Sequence, residues 1–336
     1  MRLRLFAAGI CLAMGTAVLS AATMKQIRLT EGREAANTIS APVYDNSGMP
    51  SVEIGELTAA YDRKQNFVRR TGGRLPATRG PEYDLDPKVD VAALLTEAVR
   101  SEAAAMGLTL TGASGPAWNV TGTLKDIYLE SRQVYMGATL FYGFMDVELQ
   151  IKNPAGKSQT TRLRLHAYSG GYSAGFGRQD EAESGAAHLL VEGAQELLAR
   201  LNRDVFKVPP HRDMSAKLKG LQASGVKALP ADLHMVGLSG LPQAVPALLA
   251  MVPSEKDENV RASIIDALGR LGSADAVSVL SGRYAAEDED CRWYTLKALD
   301  YIGGPEAEKA INTLGMQDKD ASAKRLSQRI MGKPAP

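Results

Sequence analysis

The feature that most constrains this chain is a repeat. Val260-Arg261-Ala262-Ser263-Ile264-Ile265-Asp266-Ala267-Leu268-Gly269-Arg270-Leu271-Gly272 matches Cys291-Arg292-Trp293-Tyr294-Thr295-Leu296-Lys297-Ala298-Leu299-Asp300-Tyr301-Ile302-Gly303 at a constant offset of 31 residues. A second helix-like block follows each copy, Ala276-Val277-Ser278-Val279-Leu280 and then Ala307-Glu308-Lys309-Ala310-Ile311. Upstream, Ala244-Val245-Pro246-Ala247-Leu248-Leu249 aligns with Ala276–Ser281 at an offset of 32, and Ala321 to Ile330 reads as a degenerate last helix. One amphipathic helix pair cannot bury its own apolar face, so consecutive pairs stack and bury it for one another. Ala267 and Ala298 let neighbouring helices approach closely, and Gly272 and Gly303 end the first helix of each pair.

The pattern V-R-x-x-A-x-x-A-L-G-x-L-G, followed by A-V-x-x-L, resembles the short HEAT-like repeats first named in phycobilisome lyases. The resemblance implies an all-α, HEAT-like solenoid over residues 223–332 that serves as a protein-binding scaffold. It does not imply lyase activity, because no cofactor-handling residues are identifiable. Within the second copy, Trp293 and Tyr294 stand where the first has Ala262 and Ser263. Tyr294 and Tyr301 share a helix face, and Trp293 lies beside Lys297 one turn on. An outward cluster of Trp293, Tyr294, Lys297 and Tyr301 has the composition of a partner-binding hot spot. The alternative is that these rings pack beneath the preceding loop, Glu287 to Asp290, or against the first domain.

Upstream of the repeats, Val208-Pro209-Pro210-His211-Arg212 is a breaker, and residues 207–222 read as a basic linker or short helix. Residues 23–206 mix strand and helix periods. Gln26 to Thr30 alternates as a first strand, and residues 32–87 form an irregular stretch rich in Gly, Pro, Asn and Arg. A helical period runs from Val89 to Met106 and stops at Gly107. Three β-like runs follow, Trp118 to Glu130, Ala138 to Lys152 and Gln159 to Tyr172, with a turn at Asn153-Pro154-Ala155-Gly156. A closing helix spans Ala182 to Asn202. The expected fold is an α+β domain, an antiparallel sheet with two helices packed on it. The helix ending Met106-Gly107-Leu108, the run Asn119-Val120-Thr121-Gly122-Thr123-Leu124, the hairpin at Lys152 to Lys157 and the final Leu201-Asn202-Arg203-Asp204 resemble the YajG-like family of small bacterial envelope lipoproteins. The chain departs from that family in lacking a lipobox Cys, so membrane tethering does not carry over.

The N-terminus gives the expected compartment. Met1-Arg2-Leu3-Arg4, an apolar run from Leu5 to Leu19 and Ser20-Ala21-Ala22 have the order of a signal peptide over residues 1–22, with the mature chain beginning near Thr23. The apolar run is short for a membrane span. Cys11 lies within it behind a bulky Ile10, which argues against a lipid anchor. The expected location is periplasmic or secreted.

Composition removes several functions. Lys+Arg total 39 against Asp+Glu 38, so no positive surplus exists to hold nucleic acid. Two Cys and four His are too few and too scattered for a disulfide framework or a zinc module. The stretch Gly170-Gly171-Tyr172-Ser173-Ala174-Gly175-Phe176-Gly177 lacks the Gly-Lys-Ser/Thr of a phosphate loop and reads as a glycine-rich strand end. His166 and His188 read as packing or surface residues. No catalytic, cofactor-binding or metal-ligating constellation stands out. The expected function is a non-enzymatic, exported envelope scaffold that binds a protein partner. The alternatives are a structural envelope component that binds a lipid or glycan, and a hydrolase with an unrecognised site in the α+β domain.

Overall fold

A computed structural model of the chain describes residues 25–27, 41–46, 48–61, 68–71, 83–85, 88–110, 116–133, 138–172, 179–209, 213–222 and 230–332. The signal-peptide segment and the glycine-rich residues 173–177 lie outside the described residues.

Among the described residues the sheet has seven strands: β1 (Lys25–Ile27), β2 (Val52–Ala59), β3 (Val68–Thr71), β4 (Tyr83–Leu85), β5 (Trp118–Gln133), β6 (Ala138–Lys152) and β7 (Ser158–Tyr172). The last three form the expected antiparallel meander. The sheet as a whole is mixed, which corrects the antiparallel reading. On its other side β5 pairs in parallel with β2 along its first half and with β3 along its second. β2 falls in the stretch read as irregular. A register shift between Ile54 and Leu57 puts Val52, Ile54 and Leu57 in the core and breaks the two-residue alternation that marks a strand.

Two helices cover one face of the sheet. Helix α1 (Val91–Ala105) is capped by Asp90, whose carboxylate accepts from the Ala92 and Ala93 N–H groups. It buries Val91, Leu95 and Val99. Its Thr96 hydroxyl accepts from the Leu57 N–H at 3.0 Å, and Arg100 donates to the Ile54 carbonyl, so α1 satisfies the outer edge of β2. Helix α2 (Gln179–Arg200) lies close on β6: a Cβ at Gly193 would stand 2.1 Å from Met145 Cε.

The second half is helical: α3 (Asp213–Gln222), α4 (Pro230–Ser239), α5 (Val245–Met251), α6 (Glu258–Leu271), α7 (Asp275–Arg283), α8 (Glu289–Ile302), α9 (Gly304–Ala310) and α10 (Ala321–Ile330). Residues 213–222 of the expected linker are helix α3, which buries Met214 and joins α4 through Lys217–Asp232. Asp257, Asp288 and Asp320 cap α6, α8 and α10 through their side chains. Gly272 ends α6 at φ 70°. The close approach expected at Ala298 is made against Gly269, where a Cβ would stand 2.4 Å from Ala298 Cα. Among the described residues no helix is long and apolar enough to cross a membrane.

Candidate functional site

The first helix of each pair points one set of side chains at the first half of the chain. His234, Asp266, Lys297 and Arg329 follow one another at offsets of 32, 31 and 32, and Leu238, Arg270 and Tyr301 at 32 and 31. These rows run from α2, around the β7 edge of the sheet, onto the face opposite α1 and α2. Three contacts result, with different chemistry.

The first is an ion cluster between α2, α6 and α8. Arg270 donates to Asp266 at 2.9 Å, to Glu196 at 2.7 Å and to Glu192. Lys297 stands 2.9 Å from Asp266 and 3.3 Å from Glu192, and Arg200 is 2.8 Å from Glu196. Arg270 is 2% exposed and Lys297 0%, an environment charged groups enter only when paired. Burial alone would raise the Glu192 carboxyl; Lys297, His188 and Arg270 outweigh it and hold it well below the carboxylate range. Burial likewise opposes, and Arg270 overcomes, the shift at Glu196 and Asp266. Three carboxylates meet three cations, so the cluster is neutral as it stands. His234 adds a ring contact to Gln195 at 3.3 Å, and burial, with Arg270, pushes its imidazole down to about 4.

Glu192, His234 and Asp266 place their donor atoms within 4.8 Å of one another. They do not fit a divalent ion, because Arg270 and Lys297 already face the same carboxylates and a dication would add unbalanced positive charge. Glu287, Asp288 and Cys291 form a similar group. There Arg261 and Arg283 hold Glu287, Asp288 caps α8, and burial pushes the Cys291 thiol up, away from the thiolate a metal needs.

The second contact closes the sheet edge. Among the described residues β7 pairs with β6 alone. The Tyr301 hydroxyl accepts from the His166 N–H at 2.9 Å and donates to the His166 carbonyl at 3.2 Å, satisfying backbone groups an edge strand leaves open. His166 Nε2 lies 2.7 Å from Asp300, which Arg164 also pairs at 2.7 Å. A His–Asp pair orients a general base in many hydrolases. This one is fully buried among the rings of Phe144, Trp293 and Tyr301, out of reach of a substrate, and burial lowers the imidazole.

The third contact lies on the outer sheet face. Tyr142 stacks on Trp293 at 4.7 Å and donates to Asp290 at 2.9 Å. Glu130 receives Arg325 and, at 2.7 Å, the Ser322 hydroxyl. Arg329 reaches Asp126 at 2.7 Å and lies over the Tyr128 ring at 3.6 Å. Arg164 donates to the Ile330 carbonyl at 2.7 Å.

This geometry corrects the outward cluster. Trp293, Lys297 and Tyr301 are buried against the first half, and Tyr294 is half-buried, edge-on to Trp293 at 5.5 Å. They pack instead against Tyr142, Glu192 and His166 of the first domain. Sequence reasoning missed Glu192, Glu196, Asp266, Arg270 and Glu130. A signal was present: Asp266, Arg270 and Lys297 are charges set among the apolar positions of the repeat, and such positions are buried by the pattern itself.

The fold and contacts define a class: an α+β sheet domain clasped by helix-pair repeats of its own chain. Residues 233–300 match the HEAT repeats family. Solved structures similar to the chain include a minor lipoprotein from Acinetobacter baumannii, at 12% identity over 47% of this chain and 98% of that one, with a TM-score of 0.26. A protein from Xanthomonas campestris is similar at 15% identity, 49% and 94% coverage and a TM-score of 0.28. No curated protein matches the chain.

Proposed function

We propose that this chain is an exported cell-envelope protein that acts as a non-enzymatic protein-binding scaffold through its HEAT repeats. The observation that carries the reading is the match of residues 233–300 to HEAT repeats, whose general use is protein interaction. The helix pairs stack as a short solenoid, and its inner rows are occupied by the chain's own sheet and α2. The partner surface is therefore the outer layer, α5, α7 and α9, where Pro246, Ala250, Ser278 and Glu308 are exposed. The charged start, apolar run and small residues of segment 1–22 support export. Photo-crosslinking residues placed at Ala250, Ser278 and Glu308 should trap one common partner in cells. Secreted material should begin near Thr23 by N-terminal mass spectrometry. A chain that retains Met1 and gives no adduct from the three sites would overturn the reading.

A further inference from the structure

We draw no further inference here: the strongest candidate, the outer face of helices α5 and α7 where Pro246, Ala250, Ser278 and Gly282 are exposed, belongs to the partner surface already described, and nothing in the structure shows what covers it.

Discussion

The contact at α2 and the contact on the outer sheet face use the same residue types and shift their buried carboxyls in opposite directions. At α2, Arg270 is surrounded by Asp266, Glu192 and Glu196, and every nitrogen of its guanidinium has a carboxylate partner. At the sheet face, Arg325 meets Glu130, and burial raises the Glu130 carboxyl where Arg270 and Arg200 lower that of Glu196; each contact leaves one arginine Nη2 buried without a hydrogen-bond partner, on Arg325 and on Arg200. The difference teaches where the molecule is one piece. A buried ion cluster is costly to assemble and more costly to break one partner at a time. The α2 cluster therefore welds the repeats to the first half, whereas α10 is held to β5 by two separate ion pairs.

The sharpest way to break this comparison is Arg270→Met. It leaves Glu192, Glu196 and Asp266 buried with one cation fewer at their centre, and should cost about 3–5 kcal/mol in urea unfolding. A loss below about 1 kcal/mol would mean the cluster is not buried as described. Acid comes next. The His234 ring titrates near 4 in the folded chain, through burial and then Arg270, against an ordinary value of 6.5. Its contribution to stability is complete above 6.5 and is lost as pH falls toward 4, with a slope of at most about 1.4 kcal/mol per pH unit. The slope should flatten in His234→Gln. Tyr301→Phe removes the hydroxyl that satisfies the His166 backbone and should lower stability by about 1–3 kcal/mol, while edge amides near His166 exchange faster. Arg329→Ala should cost only about 1 kcal/mol, because Asp126 is 38% exposed and water can replace the guanidinium. A larger loss at Arg329 than at Arg270 would invert the account.

Much of the fold was legible in the sequence, and for physical reasons. The repeat was readable because its apolar positions recur at a fixed offset, and each copy contributes the same buried Val260 or Cys291, Ala267 or Ala298. The meander was readable because β5, β6 and β7 are long and β6 turns into β7 through Gly156 at φ 83°. β2 was not, since its bulge hides the alternation and its partner residues on β5 lie 65 or 66 positions away. The direction of the rows was also hidden. Trp293, Lys297 and Tyr301 sit one turn apart, and periodicity shows that they share a face without showing what the face meets. Their partners, Tyr142, Glu192 and His166, lie on a strand, a helix and another strand that no local pattern connects to the repeat. The N-cap aspartates were on the page: Asp257 and Asp288 keep the 31-residue offset and mark each first helix.

The central claim is that the repeats and the sheet are one cooperative unit joined through the α2 cluster. Native-state amide exchange of the full-length chain tests it most directly, with peptides from β6 and β7 compared against peptides from α6 and α8. The account predicts the same opening free energy for all four, falling together in Arg270→Met. If α6 and α8 open at a free energy well below that of β6 and β7 in the wild-type chain, the repeats are a separate unit and the claim is wrong.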